Sequence, residues 1–383
     1  GAVITATILA AAFGTLLAGL WANVPFAMAP GMGLNAFFAY SLVIGEQVSW
    51  QTALGVVFVS GIVFLALTLV GIRRHVVHAI PADLRHAIAA GIGLFIAFIG
   101  VRSLGLIVDD PGTLVRMGEI GQEVVLGLIG LALIAVLEIR RVRGSILIGI
   151  VVTTLLGAAL GKVAVPSAVL SSPPDLAPVF MQMDLAGAVR WGMWGAIFSF
   201  MFVDLFDSVG TIMACAHEAK MVDDDGRIHR VDRVLEADAL ATIAGSVLGT
   251  STTTTYVESA SGIVEGARTG LANVVTGLLF LGALFVTPLI AVVPAFATAP
   301  ALVIVGVFMF RNVARVDFRR LDAAVPAFLT VVLMPLTHSI STGLAFGFIA
   351  SVVTATAAGR AREVHPVMWL IAILSALEIG LRG

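Results

Sequence analysis

Three carboxylates fall inside stretches of this chain that read as membrane spans. Asp204 and Asp207 lie midway along WGAIFSFMFVDLFDSVGTIMA, and Glu258 lies in GTSTTTTYVESASG. Near the centre of a bilayer each such group costs at least ~2.5–3.5 kcal/mol on insertion scales. Three of them require a polar cavity, a partner or a proton, and no Lys or Arg stands at comparable depth to neutralise them. Asp204 and Asp207 are spaced i,i+3 and share one helical face. Two neighbouring carboxylates in a low dielectric do not both ionise easily, which is the chemistry of proton coupling. Asn35, after the Gly31-Met32-Gly33 bend, can offer an amide to the same cavity, although a helix cap explains an Asn there equally well. Glu138, Glu236 and Asp238 fall near the ends of apolar stretches, where water is within reach.

The elements that must position these groups are hydrophobic helices. Of 383 residues, 59% are apolar and 12% charged, against roughly 25% charged in an ordinary soluble domain. A mean hydropathy of +1.06 is too high for an aqueous fold to hide. A span needs roughly 20 mainly apolar residues. Thirteen stretches are read as spans, at 2–21, 24–43, 51–71, 86–106, 122–139, 144–162, 191–214, 234–249, 251–265, 269–292, 297–311, 321–338 and 341–358. A last apolar stretch, 366–380, forms a short terminal helix or lies in the interface. The net charge of −2 gives no reason to expect a nucleic-acid partner, and the single Cys215 excludes a disulfide framework or a thiolate metal cage. His75, His78, His86, His217 and His229 fall in or beside loops and read as solvated rather than as metal ligands. Asp223–Asp225 with Gly226 lacks the spacing of a calcium loop.

Charge placement tests this map. Alternate connections, starting after the first span, hold 17 of the 22 Lys and Arg residues, among them Arg140, Arg141, Arg143, Arg230, Arg233, Arg311, Arg315, Arg319 and Arg320. The opposite set holds only Arg102, Arg116, Lys162 and Arg190. That bias makes the first set cytoplasmic and puts Gly1 outside. An external start without a signal peptide is awkward, so a helix before Gly1 is expected to be missing from this chain. Fourteen spans would then divide into two inverted halves of seven, the construction of many secondary transporters. The stretch Asn23–Tyr40 contains Pro25, Pro30, Gly31 and Gly33, and Gly249–Gly262 is polar and threonine-rich. Both are poor helices. Extended backbone at membrane depth is tolerated only when buried in protein or facing a cavity. Interrupted segments at matching positions of two halves point to a transport site.

Three motifs, APGMGLNAFFAY at 29–40, FVDLFDSVGT at 202–211 and GTSTTTTYVESASG at 249–262, give the chain its resemblance to the nucleobase–cation symporter-2 superfamily, in its adenine/guanine/hypoxanthine permease branch. The resemblance covers essentially the whole chain. It implies an all-α polytopic fold of seven plus seven inverted spans, with short strands in spans 3 and 10. The core domain would comprise residues 1–71 and 191–292, and the gate domain residues 86–162 and 297–358. Residues 359–383 would form a C-terminal tail with a short apolar helix. The first span of the family has no counterpart before Gly1. The resemblance implies uptake of purine bases by proton symport through alternating access, in a multi-pass cytoplasmic-membrane protein that is not an enzyme. It needs no resident cofactor, the proton being the coupling ion. A homodimer through the gate domain is the expected assembly.

Carried over by motif, the family's span-8 acid corresponds to Asp204 or Asp207, its span-10 glutamate to Glu258 and its span-3 polar residue to Asn35. Asp204, Asp207 and Glu258 would take part in both substrate binding and proton coupling. A carboxylate accepts ring N–H bonds, and an amide can pair with both a donor and an acceptor. Phe37, Phe38 and Tyr256 could sandwich the base, with Thr255 beside them. An intramembrane aspartyl protease would need its acids on separate helices, whereas Asp204 and Asp207 share one. An inorganic-anion transporter of the same fold is the remaining alternative. Three carboxylates without a buried cation would repel its cargo.

Overall fold

The computed structural model describes residues 1–71, 79–163, 168–219, 221, 230–256, 258–264 and 266–382. In chain order the helices begin with α1 (Ala2–Leu17, continued by a π turn to Ala22), α2 (Met32–Ala36, continued to Gly45), α3 (Trp50–Leu69) and α4 (Ala82–Ser103). They continue with α5 (Gln122–Ile139), α6 (Ser145–Ala159), α7 (Leu185–Ala188), α8 (Trp194–Glu218) and α9 (Val231–Leu248). The remainder are α10 (Ser259–Val264), α11 (Leu271–Ala283), α12 (Thr287–Ala291), α13 (Ala295–Phe310), α14 (Leu321–Leu336), α15 (Ile340–Ala357) and α16 (Pro366–Arg382). Strands β1 (Met28–Pro30) and β4 (Thr253–Thr255) form one antiparallel pair, and β2 (Ile107–Asp110) and β3 (Leu114–Met117) another. Among the described residues six helical segments are long and apolar enough to cross a bilayer unaided. This is a multi-pass membrane protein, and leucines such as Leu147, Leu155, Leu278 and Leu279 remain exposed on its helices.

Small residues let the helices approach closely, as membrane packing without a hydrophobic driving force requires. Where α4 crosses α13, a Cβ on Gly93 would lie 2.6 Å from the Gly306 carbonyl, and one on Gly306 would lie 2.5 Å from that of Gly93. α9 ends at Gly249, whose φ of +97° suits only glycine and whose missing Cβ makes room for Val179. The α16 stretch is helical and buries Met368, Ile371 and Ala372 while leaving Leu370, Ile373 and Leu374 exposed. The β2–β3 hairpin turns at Asp110, whose carboxylate accepts from the Gly112 and Thr113 N–H groups. Those bonds hold Asp110 below the usual carboxylate range.

Contacts sort the element ends into two sets. Gly1 lies against Pro174, Met181 bonds Val247, and Ser171 bonds Phe285, which groups the start of α1 with the ends of α9 and α11. At the opposite ends, Arg230 donates to the Ala22 and Asn23 carbonyls, and Asn23 accepts from the Gly270 N–H at 2.8 Å.

The strand pair β1–β4 joins the two interrupted segments, with Met28 opposite Thr255, Ala29 opposite Thr254 and Pro30 opposite Thr253. The sequence places extended backbone at 29–32 and 252–256; the chain turns helical by Met32 because Gly31 already provides the bend. Gly31 N–H donates to the Thr252 carbonyl and Tyr256 N–H to the Ala27 carbonyl, so odd-numbered residues of the first segment face the second. Met28 and Pro30 therefore turn their backbone groups outward. Thr15 on α1 satisfies Met28 completely, donating to its carbonyl at 2.7 Å and accepting from its N–H at 2.9 Å. Pro30 has no N–H to satisfy, and its carbonyl accepts from the Tyr256 hydroxyl at 2.7 Å. On the other strand the Thr253 carbonyl accepts from Thr242 of α9. A two-stranded piece of sheet at membrane depth is tenable because side chains complete its hydrogen bonding.

Candidate functional site

The junction of β1, β4 and the half-helices α2 and α10 receives polar side chains from α8 and α9 as well. Asp207 is half-buried, Tyr256 and Asn35 likewise, and Glu258 is exposed at the start of α10. Asp207 and Glu258 lie close enough for their charges to repel, and Tyr256 feels both. These four residues keep part of their surface exposed. Asp204, one helical turn before Asp207, is different: it is 2% exposed and sits behind that surface. Its carboxylate faces Thr242, while its Oδ1 has no hydrogen-bond partner among the described residues.

Asp238 changes the reading made from sequence. Its position near a span end suggests access to water, yet it is fully buried on α9. The helix begins at Val231, which places Asp238 two turns inside it. Ser208 of α8 donates to Asp238 Oδ2 at 2.6 Å and also meets Thr254 Oγ1 of β4 at 2.9 Å. Since the Ser208 hydrogen goes to the carboxylate, Thr254 donates to Ser208. This chain of bonds ties α8, β4 and α9 together, and Asp238 lies near enough to Asp204 for their charges to interact. The site thus has an accessible layer, Asp207 with Glu258, over a buried layer, Asp204 with Asp238. Nothing in the sequence marks Asp238 as buried, because the start of its helix at Val231 is known only from the structure. Glu236 keeps its access to solvent and accepts from the Trp21 indole at 3.1 Å.

The remaining residues expected at the site divide by burial. Phe37 is 1% exposed and its ring lies 4.5 Å from that of Phe200, in the packed core beside α2. Phe38 is half-buried and packs on the same core. Thr255 is buried in β4 opposite Met28. Asn35 receives a hydrogen bond on its Oδ1 from the Ser251 hydroxyl, across the join between the two halves of the chain. Nothing in the sequence distinguishes Ser251, one hydroxyl in a run of hydroxyls. His75, His78, His229 and Asp223–Asp225 lie outside the described residues.

Interrupted helices meeting at a strand pair, lined by carboxylates and embedded in spanning helices, define a membrane transporter rather than an enzyme. The chain belongs to the nucleobase–cation symporter-2 family: the family model described as "Permease family" matches residues 2–346. It is 46% identical to the guanine/hypoxanthine permease PbuG of Bacillus subtilis over 96% of this chain and 84% of that protein. It is 44% identical to the adenine permease AdeP of Escherichia coli over 99% of this chain and 85% of that protein. Among solved structures it is similar to the transmembrane domain of a cyanobacterium bicarbonate transporter, BicA, with a TM-score of 0.64 and 16% identity over 91% of this chain and 92% of that one. That likeness establishes a shared fold.

Proposed function

We propose that this chain is a purine-base permease of the cytoplasmic membrane that couples uptake to protons by alternating access. The observation that carries the reading is the pair Asp207 and Glu258, each with part of its surface exposed, backed by the buried Asp204. A purine ring offers N–H donors, and carboxylates at the junction accept them; an anion such as bicarbonate would meet charge repulsion there. Relatives named for adenine and for guanine/hypoxanthine transport support the same substrate class. In this reading Asp207 and Glu258 face the base, with Asn35 and Tyr256 at its edge, while Asp204 and Asp238 exchange the proton behind them. The helices of residues 1–71 and 191–292 carry the site and move against those of 86–162 and 297–358, and copies pair through the latter. No resident cofactor is needed.

Uptake of radiolabelled adenine, guanine and hypoxanthine into cells expressing the protein tests the proposal. Accumulation should be abolished by a protonophore and should rise at acidic external pH. Uptake that survives the protonophore and needs sodium would overturn proton coupling, and uptake of bicarbonate but of no purine would overturn the substrate class.

A further inference from the structure

The connection from α6 to α8 falls between the two sets of helices that move against each other in the reading above. Its ends are anchored differently. Val163, just after α6, packs into the apolar cluster of Leu104, Leu126 and Phe296, beside α4, α5 and α13. Ser171 is held by the other set. Its N–H donates to the Phe285 carbonyl at 2.9 Å, and its hydroxyl meets that of Thr287 at 3.2 Å, where α11 passes into α12. Between Val163 and Ser171 the chain thus passes from one set of helices to the other.

From Ser171 onward the chain crosses back and forth over the end of the site-carrying helices. The Pro174 carbonyl accepts from the Thr5 hydroxyl of α1 at 3.0 Å. Val179, 8% exposed, occupies the space that a Cβ on Gly249 would take, at the end of α9. The Met181 N–H donates at 2.8 Å to the Val247 carbonyl, which lies in the last turn of α9 and has no intrahelical N–H to receive. The Asp184 N–H donates to the Gln51 carbonyl at the start of α3 at 2.9 Å, and its Oδ2 accepts from the Thr52 hydroxyl at 3.0 Å. Gly55 admits this backbone, since a Cβ there would lie 2.5 Å from the Asp184 carbonyl oxygen. Among the described residues, every hydrogen bond from 171–188 to a residue outside 171–190 goes to these helix ends. They are reached in the order α11, α1, α9, α3, alternating between the second half of the chain and the first.

From this alternation we infer that residues 171–188 are a strap of the site-carrying body: they stitch its two halves together at one end and travel with it, and the relative movement of the two bodies is taken up between Val163 and Ser171. The inference rests on the alternating-access reading above and adds where the moving body ends, ahead of the 191 expected from sequence. The β1–β4 pair joins the same two halves at the junction. The strap joins them again at the end where Gly1 lies, so the body that carries Asp207 and Glu258 is tied at two levels.

The test is pulsed electron–electron resonance between pairs of spin-labelled cysteines in the purified full chain, reconstituted in lipid nanodiscs; the native Cys215 is buried. Asp175→Cys labels the strap, Leu20→Cys the first half of the site-carrying body, Leu279→Cys the second half and Leu155→Cys the other body, all at exposed positions. On adding saturating hypoxanthine, the distances from Asp175→Cys to Leu20→Cys and to Leu279→Cys should stay unchanged. The distance from Asp175→Cys to Leu155→Cys should shift together with the reference pair Leu279→Cys and Leu155→Cys. A strap that keeps its distance to Leu155→Cys while both other distances change would belong to the other body and overturn the inference. A strap that keeps its distance to only one half would refute the stitch. Asp184→Ala deletes the bond from Thr52 and should broaden the strap-to-Leu20 distance distribution even without hypoxanthine; an unchanged width would also count against the stitch. A reference pair that hypoxanthine never moves would defeat the alternating-access reading itself, a distinguishable failure.

Discussion

Thr15→Val tests how the extended backbone at the junction is held. Thr15 Oγ1 serves the Met28 carbonyl at 2.7 Å and the Met28 N–H at 2.9 Å, and both residues are fully buried. Valine keeps the branched shape and deletes the hydroxyl, so two backbone groups of β1 lose their partner while little cavity opens. The opposite strand cannot replace it, because Met28 occupies an outward-facing position of the ladder. A buried donor or acceptor left unmade costs ~1–3 kcal/mol, so the pair puts the loss at ~2–6 kcal/mol. For a chain of this size that lowers the melting temperature by several degrees. Thr7→Val is the comparison: its hydroxyl meets that of Thr250 at 3.0 Å in a part-buried place, with no backbone group orphaned, and its loss should stay within ~1 kcal/mol. Thermal unfolding in detergent, followed by hypoxanthine binding, reads both effects. Equal melting temperatures for the two variants would refute the claim that Thr15 completes β1.

Other outcomes follow from the same structure. Glu258→Gln keeps the size but offers an amide where the base presents its own N–H; loss of a hydrogen bond to a charged partner predicts roughly ten- to a hundredfold weaker hypoxanthine binding by calorimetry, and unchanged affinity would remove Glu258 from the site. A cysteine at Asp175 or Thr113 should react with an impermeant reagent added outside intact cells and one at Arg315 should not; the reverse would invert the topology. His338, between α14 and α15, is held below the ordinary histidine value mainly by partial burial, then by the Arg102 guanidinium 3.0 Å from its Nε2, with Asp109 opposing. A lowered value means the neutral ring is the one the fold stabilises. That contribution is complete above the ordinary pKa of ~6.5 and is lost as pH falls through the lower folded value. The parent should therefore lose more thermal stability between roughly pH 7 and 5 than His338→Gln, and parallel profiles would contradict it.

Much of this fold is legible in the sequence because bilayer constraints are severe. Apolar runs of spanning length, the one-sided charge of alternate connections, and Pro and Thr clusters that cannot continue a helix each have one physical outcome in lipid. The strand pair can be anticipated from Pro30 and the Thr250–Thr255 run, and its ends differ from expectation only where Gly31 sets the turn. What the sequence conceals depends on partners distant in the chain. Asp238 looks like an end-of-span acid until its helix is seen to start at Val231 and Ser208 is found 2.6 Å away. Ser251 gains meaning only opposite Asn35, and Phe37 is settled by Phe200. The β2–β3 hairpin has a visible signal, Asp110-Pro111-Gly112, in a loop whose lack of apolar character hides it from a search for spans.

The two layers of acid suggest how one base and one proton can share a site. Asp207 and Glu258 repel each other when both are charged. With both protonated, the site has lost its charged acceptors for ring N–H groups. With one proton on the pair, repulsion is gone and one carboxylate still accepts from the base. If the coupling ion is a proton, the singly protonated pair is then the best receptor. Base and proton each favour the other over the range in which the first proton binds, and such linkage is reciprocal. Asp204 and Asp238 behind the pair, the latter joined through Ser208 and Thr254 to β4, can take up the proton when the junction rearranges. The affinity for hypoxanthine should accordingly pass through a maximum as pH is varied. Asp207→Asn removes the repulsion at every pH, so in that variant the affinity should no longer rise as the medium is acidified toward that maximum. Calorimetric titrations of parent and variant across the pH range in which the protein stays folded measure both profiles. Affinity that changes in one direction only in the parent would refute a shared proton on Asp207 and Glu258, and an acidic rise that survives in Asp207→Asn would place that proton on another group.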